Sequence, residues 1–231
     1  MQSGRGKISE KCPRLRARLD VLMTTPESDE TTDATRPSLL LRLRNPRDSE
    51  AWRTFVETYT PLVYAYCRRR GLQASDVADV TQEVMAQVLR SIADFTYQSQ
   101  RGRFRDWLGT ITRTKLARFL SRDARAGKGE GGDAGAEELT WQVEAPESDT
   151  LWTEGFHARV LEVAMKRARP DFQEVTWTIF EHAWVRGQAA PEVARELGVP
   201  IESVYLAKSR VLKRLRTEVV TLAEDYPPLL A

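Results

Sequence analysis

The 231-residue sequence contains few of the residues that build disulfides, metal sites or catalytic centres. It has two cysteines, Cys12 and Cys67, and two histidines, His157 and His182. The cysteines lie in different regions, so the chain has neither a disulfide framework nor the ligands of a zinc site. No acidic cluster suits a two-metal centre either. We therefore predict a non-enzymatic protein without metal or cofactor, in a reducing cytoplasm.

Long apolar runs are also missing. Runs such as residues 61–67 fall well short of the ~18 residues that a membrane-spanning helix needs, and the first twenty residues lack the apolar core of a signal peptide. The composition, 41% hydrophobic and 29% charged, is typical of a soluble globular protein with room for two small domains. The formal net charge is only +2, but the charges are segregated along the chain.

Two segments lack the periodicity of folded elements. Residues 1–36 are polar and charged, so we predict a disordered arm; Met23 within it resembles a natural translation start. Residues 123–150 are rich in glycine and acidic residues, which predicts a flexible linker. The predicted fold is all-α, with two small helical domains at 37–122 and 151–221 and a tail at 222–231.

The first domain begins with apolar residues spaced by threes and fours, which predicts a helix. These residues are Trp52, Phe55, Val56, Tyr59, Leu62, Val63 and Tyr66. Pro61 is expected to kink or divide the helix, and Gly71 to end it. Ser75 is predicted to cap a second helix, whose buried stripe comprises Val77, Val80, Val84, Val88 and Ile92.

That second helix also carries acidic residues on another face. Asp76, Asp79 and Glu83 follow the spacing i, i+3, i+7. The positive end of the helix dipole is a sufficient explanation for Asp76 and Asp79, but Glu83 lies beyond its reach. The pattern therefore predicts an acidic ridge, with Glu83 as the residue that the dipole does not explain.

The charge reverses in the next segment, where eight cations face two acids between Arg101 and Arg125. Aromatic residues are interleaved with these cations, as single-stranded nucleic acid requires for phosphate contacts and base stacking. Phe104, Trp107 and Ile111 also have helical spacing, which is typical of a buried core. For Phe104 the core interpretation is favoured, whereas for Trp107 both interpretations stay open.

Residues 187–216 have the pattern of a helix-turn-helix. Pro191 suits the first helical position and Gly198 the position just past a helix end. Further along, Val204, Ala207, Val211 and Leu215 lie on one apolar stripe, which predicts a second helix with an opposite polar and basic face, suited to a major groove. A helical hairpin with a solvated basic face is the alternative. The domain's other core residues are predicted to be Trp152, Phe156, Val160, Val163, Ala164, Phe172, Val175, Ile179, Phe180 and Ala183, together with Trp177 and Trp184.

These blocks, taken in order, resemble bacterial RNA polymerase sigma factors of the extracytoplasmic-function (ECF) group in the sigma-70 family. The blocks are the acidic helix Asp76–Val84, the basic segment Phe104–Arg113, a polar linker and the C-terminal helix-turn-helix. The resemblance covers about residues 38–220. The amino-acid sequence at residues 35–44 and 101–108 resembles that of the sigma-like proteins of planctomycetes.

The resemblance implies a role for each block. The first domain would be sigma region 2, whose acidic helix docks on the β′ clamp helices of core polymerase through Asp76, Asp79, Gln82 and Glu83. Its basic segment would contact the −10 element through Tyr97, Arg101, Arg103, Arg105, Trp107, Arg113, Lys115, Arg118 and Arg122. The second domain would be sigma region 4, reading the −35 element through Glu202, Ser203, Tyr205, Lys208, Ser209, Arg210, Lys213 and Arg214. Partners would be core polymerase, including its β subunit, and promoter DNA; an anti-sigma factor is left open.

The chain departs from the family pattern at both DNA-binding helices. Ser203–Ala207 replaces a motif that usually supplies two cations, and Thr114 stands where Asn is frequent. The bases that family members prefer therefore do not indicate which bases this chain prefers. Two other classes remain as alternatives. A stand-alone helix-turn-helix regulator would not need the first domain, and a nucleic-acid enzyme such as a recombinase lacks candidate catalytic residues.

Overall fold

A computed structural model describes residues 38–95, 104–126 and 149–223, and every regular element in those ranges is helical. The α-helices are α1 (Leu39–Leu43), α2 (Ser49–Arg69), α3 (Ala74–Ser91), α4 (Phe104–Ala126), α5 (Thr150–Ala168), α6 (Glu174–Phe180), α7 (Ala190–Leu197) and α8 (Ile201–Ala223). A 3₁₀ turn at Arg169–Asp171 precedes α6, and a π-helical turn at Glu181–Val185 follows it. The all-α prediction is confirmed. The predicted arm, most of the predicted linker and most of the tail lie outside the described residues.

The chain divides into two compact units, one comprising residues 39–156 and the other continuing from His157. The helix α5 therefore contributes its first residues to the first unit and the remainder to the second. The sequence pattern instead assigned Trp152 and Phe156 to the second domain. The side chains of these two residues are buried among residues of α2 and α4, which is why the first unit extends to residue 156.

The core of the first unit is aromatic. Helix α2 packs on α3, and α3 packs on α4. Phe55, Tyr59, Phe104 and Phe156 are all essentially inaccessible to solvent. The Tyr59 ring stacks on Phe156 with centroids 5.7 Å apart and meets the Phe104 ring edge-on at 5.4 Å. Such pairs add to the hydrophobic stabilisation that burial provides, so residues from three helices hold the unit together.

Helix α2 continues through Pro61, so the proline does not divide the helix. Pro61 faces solvent, while Leu62 and Val63 are buried and keep the helix against the core. Val56, one of the apolar residues whose spacing predicts this helix, is 45% exposed. Thr58 takes the interior position instead, because its hydroxyl donates 2.7 Å to the Thr54 carbonyl and can enter the core without an unpaired group.

The ends of α2 and α3 also show how the sequence sets element boundaries. Gly71 lies just past α2 with φ +92°, a conformation that glycine adopts readily, which confirms it as the end of the element. Ser75 is not the cap of α3. That helix begins at Ala74 after Gln73, whose side chain makes no cap hydrogen bond, and the Ser75 hydroxyl donates to Asp76 at 3.1 Å.

The second unit contains the helix-turn-helix. Gly198 has φ +64°, and the Val199 amide donates 3.0 Å to the Ala194 carbonyl, so α7 ends in a tight turn before α8. Pro191 is the second residue of α7 rather than the first; either position lacks an intrahelical acceptor for its N–H. Both helices pack through one small core of Ile179, Val193, Val204 and Ala207.

Most of the remaining predicted core of the second unit is confirmed, but Val163, Phe172 and Ala183 are only half-buried. Trp177, Phe180 and Trp184 are buried, and the Phe180 and Trp184 rings stack at 5.3 Å. Val175 is 52% exposed and was wrongly assigned to the core. It lies in the first turn of α6 beside Gln173 and Glu174, which are also exposed.

Candidate protein and nucleic-acid interfaces

Helix α3 separates a buried apolar face from a polar one. Val77, Val80, Val84 and Val88 are at most 1% exposed, as the periodicity predicts. Outside them lies the acidic ridge, which comprises Asp76, Asp79, Gln82 and Glu83. Asp79 and Gln82 are exposed, and Asp76 and Glu83 are half-buried. Because the valines fix the helix on α2 and α4, the ridge is a rigid surface rather than a mobile loop.

Glu83 links the acidic ridge to the basic helix α4. Its carboxylate accepts a 3.0 Å hydrogen bond from the Arg122 guanidinium and lies 3.7 Å from the Lys115 ammonium. Only 15% of the Lys115 side chain is exposed, against 67% for Arg122. The resemblance to sigma factors implied that Glu83 lies in a protein interface and that the two cations contact DNA. In the structure one ion-pair cluster contains all three.

The other cations predicted on α4 have different surroundings. Arg118 is exposed, whereas Arg113 is half-buried and donates 3.3 Å to the Thr110 hydroxyl. Arg105 is paired with Asp106 at 3.1 Å. Tyr97, Arg101 and Arg103 lie outside the described residues. Of the described cations, Arg118 and Arg122 therefore present the most accessible charge.

Trp107 belongs to an aromatic cluster at the start of α4. It is half-buried, its ring centroid is 4.8 Å from that of Phe95 and 5.6 Å from that of Phe104, and Phe104 is fully buried. The core assignment of Phe104 is confirmed. Phe95 is anchored as well, because Arg44 donates 2.9 Å to its carbonyl. Trp107 thus has one face in the cluster and part of its surface accessible.

Residues 149–156, called the clamp below, pack against α2 and α4 within the first unit. The sequence pattern did not predict this contact. Tyr66 donates a 2.5 Å hydrogen bond from its hydroxyl to Asp149, and Arg70 pairs with the same carboxylate oxygen at 2.7 Å. The Trp152 indole donates 2.9 Å to the Arg105 carbonyl and lies against Gly109. A Cβ at Gly109 would be only 2.6 Å from the indole nitrogen, so this position accommodates glycine alone.

The clamp perturbs both of its titratable partners. Burial raises the pKa of Tyr66 to about 12, and its hydrogen bond to Asp149 adds to the effect. Burial also acts to raise the pKa of Asp149, but hydrogen bonds from Tyr66 and the Trp152 amide, with the charge of Arg70, outweigh it and hold that pKa below its ordinary value. Asp149 is therefore a half-buried carboxylate whose charge is stabilised by its hydrogen bonds and by Arg70.

Helix α8 presents one continuous exposed stripe. Its buried face is Val204, Ala207, Val211 and Leu215, each at most 6% exposed, as predicted. The accessible residues recur at i, i+3, i+4, i+7, i+8 and i+11: Glu202, Tyr205, Leu206, Ser209, Arg210 and Lys213. Ser203 and Lys208 are half-buried at its edges. The stripe is apolar in its second turn and basic further along.

Arg214 was predicted to contact DNA, but its guanidinium is committed within the second unit. It pairs with Asp171 at 2.6 Å and with Glu218 at 2.7 Å. Burial acts to lower the pKa of Arg214, and hydrogen bonds to these two carboxylates outweigh it and raise the pKa above its ordinary value. Glu218 is only 8% exposed and also faces Arg167 at 3.7 Å. Arg214 thus neutralises a buried acid, whereas Lys213 projects outward.

Neither a metal site nor a reactive thiol is found in the described part of the chain. No group of three or more His, Cys, Asp or Glu side chains could hold a metal ion there. Cys67 is fully buried, and burial raises the pKa of its thiol to about 11. The same residues contain no helix long and apolar enough to span a membrane.

A helix-turn-helix whose second helix carries exposed cations is typical of DNA-binding transcription proteins. A sequence profile for sigma-70 region 2 matches residues 55–126. ECF RNA polymerase sigma factors SigD of Mycobacterium tuberculosis and Mycobacterium bovis are 31% identical over 196 residues, covering 78% of this chain and 81% of each relative. The ECF RNA polymerase sigma factor RpoE of Cereibacter sphaeroides is 25% identical over 179 residues, covering 78% of this chain and 92% of the relative. The chain belongs to the ECF RNA polymerase sigma factors of the sigma-70 family.

Proposed function

We propose that this sigma factor binds core RNA polymerase through α3, helps to open the −10 element with α4, and reads the −35 element with α8. The single observation that carries the proposal is the pairing, within residues 39–156, of an acidic ridge with a basic, aromatic helix. A regulator that only bound duplex DNA would need the helix-turn-helix alone. The protein would act as a dissociable, non-enzymatic subunit where polymerase acts, in the cytoplasm.

The acidic ridge is the proposed polymerase surface, facing the β′ clamp helices. Asp79 and Gln82 are accessible on a helix that the valine face holds in place. Asp76 and Glu83 extend the same line along the helix. A row of acidic side chains suits a basic partner, and such complementarity favours fast and specific association. Asp79, which is exposed, is the central residue of the ridge.

The proposed −10 surface combines Trp107 with the cations of α4. Opening a duplex requires unpaired bases to be held, and extrusion of a base costs roughly a few kcal/mol in lost stacking. An accessible part of Trp107, supported from behind by Phe95 and Phe104, can stack on a base. Arg118 and Arg122 lie further along the same helix, where they can neutralise backbone phosphates.

The proposed −35 surface is the exposed stripe of α8. In a helix-turn-helix the N-terminal residues of the second helix contact base edges. Here these are Glu202, Tyr205 and Ser209, with Ser203 at the edge, and Arg210 and Lys213 follow at positions suited to phosphates. Lys208 is half-buried beside them. Arg214 supports this surface indirectly, through Asp171 and Glu218.

Reconstitution with core polymerase tests the proposal. The full chain is mixed with core polymerase, and the complex is isolated by gel filtration. Candidate promoters are first identified in cells that overexpress the chain. The isolated complex then transcribes these promoters, and the start sites of the transcripts are mapped. We expect co-elution and new transcripts with defined start sites, absent without the chain. Binding to duplex DNA by the chain alone, with no effect on polymerase, would instead favour the stand-alone regulator.

A further inference from the structure

Two adjacent large side chains on α8 are exposed where a recognition helix meets DNA. Tyr205 is 58% exposed and Leu206 is 55% exposed, and both lie in the second turn of the helix. Val204 and Ala207 on either side are buried in the small core of the helix-turn-helix. Because these two neighbours fix the rotation of the helix, Tyr205 and Leu206 are held outward together.

The chemistry of the stripe changes along the helix. Its second turn is apolar, and the cations Arg210 and Lys213 come one and two turns later. When the N-terminal turns enter a major groove, the later turns approach the backbone, where cations bind phosphate. The apolar pair then faces base edges. Among the groups that distinguish the base pairs in the major groove, the C5 methyl of thymine is the large apolar one.

We infer that Tyr205 and Leu206 read thymine methyl groups in the −35 element. The inference rests on the proposed function and specifies its chemistry: the chain uses apolar contacts with thymine where a basic pair would read guanine. Charge supports a DNA occupant over an apolar protein surface, because the cations Arg210 and Lys213 continue the same stripe. A protein partner for the pair is an outcome that the test below can reveal.

The test removes one methyl group at a time. A selection over randomised −35 sequences with holoenzyme, formed from core polymerase and the full chain, defines the preferred element. Each thymine in it, on either strand, is then replaced by deoxyuridine, which differs only by the methyl group. For a contacted thymine we expect binding to fall about fourfold, equivalent to the ~0.8 kcal/mol of one buried methyl-sized group.

Variants connect the methyl effect to these residues. In Tyr205→Ala or Leu206→Ala holoenzyme, the ratio of thymine to deoxyuridine binding should fall toward one at the contacted position. The matched control is Val220→Ala, which shortens another exposed apolar side chain of the same helix, 43% exposed and more than three turns away. That variant should keep the fourfold ratio. Because all three side chains are exposed, the substitutions should leave folding intact.

Several outcomes would overturn the inference. A preferred element without thymine on either strand would do so, as would equal binding of thymine and deoxyuridine throughout, or an unchanged ratio in both variants. Weaker association of either variant with core polymerase in the absence of DNA would assign the pair to a protein contact. If the chain directs specific transcription while deoxyuridine is neutral, only this inference fails. If it directs none, the proposed function fails first.

Discussion

The carboxylate of Glu83 on α3 accepts a 3.0 Å hydrogen bond from the guanidinium of Arg122 on α4, 39 residues further along the chain. The two residues belong to surfaces with different proposed partners, polymerase for Glu83 and promoter DNA for Arg122. If polymerase uses Glu83, docking has to compete with Arg122 for the same carboxylate. The two binding events are then coupled within one small domain.

This competition gives a first prediction. Arg122→Gln should raise the affinity of the chain for core polymerase, measured without DNA, because it removes a competitor for Glu83. Exposed ion pairs contribute ~0.2–1 kcal/mol, so the gain should be roughly fivefold at most. In a Glu83→Gln background the same substitution should have no effect. A loss of affinity in Arg122→Gln would show instead that Arg122 itself contacts polymerase.

A second prediction concerns Gly109, which lies under the indole of Trp152. Gly109→Ala should lower the free energy of unfolding by about 1–3 kcal/mol, the usual cost of overpacking a core, because the new Cβ would lie 2.6 Å from the indole nitrogen. Gly155→Ala is the control, since its Cβ would meet only the end of the Leu62 side chain, at 3.2 Å. Urea unfolding measures both. Equal stability of the two variants would contradict the clamp.

The pH dependence of the clamp gives a third prediction. The pKa of Asp149 is lower in the folded protein than its ordinary value of 3.8, so the folded state favours the carboxylate. Its contribution to stability is fully present above the unfolded pKa and is lost as the pH falls below 3.8 and through the lowered value. Asp149→Asn should therefore be less stable than the unmodified chain near neutral pH, and the difference should shrink in acid. A difference that is constant with pH would exclude this ionisation.

The neighbours Lys213 and Arg214 are predicted to behave differently. Lys213→Ala should weaken binding about equally on all DNA sequences and lower the salt slope by about one unit, with no change in unfolding. Arg214→Ala should lower the free energy of unfolding by about 1–3 kcal/mol, the penalty of leaving a buried polar group unsatisfied, because it removes a partner of the buried Glu218. Thermal unfolding and salt titration separate the two. A large loss of stability in Lys213→Ala, or none in Arg214→Ala, would reverse these roles.

Features that depend on neighbouring residues in the chain could be predicted from the sequence. The valine face of α3 and the turn at Gly198 follow from local spacing and from the backbone freedom of glycine. The buried face of α8, which runs from Val204 to Leu215, follows from the same periodicity. These elements need no information about distant residues, and the structure has them where the pattern placed them.

Features that depend on distant residues could not be predicted in this way. Trp152 has the spacing of a second-domain helix, but its partners Tyr66 and Arg105 are far away in the sequence. Arg214 looks like Lys213 until Asp171, 43 residues earlier, is seen to bind it. Periodicity specifies which side of a helix is buried. It does not specify which exposed charge already has a partner.

The central claim is that α3 docks this sigma factor on core polymerase, and the affinity of the Asp79→Arg variant tests it most directly. Asp79 is exposed, so charge reversal there should leave folding intact. Glu57→Arg makes the same change of charge at an exposed position of α2. Titration of labelled chain with core polymerase should show at least a tenfold weaker complex for Asp79→Arg, equivalent to ~1.4 kcal/mol, and little change for Glu57→Arg. Equal affinities for Asp79→Arg and the unmodified chain would contradict the account.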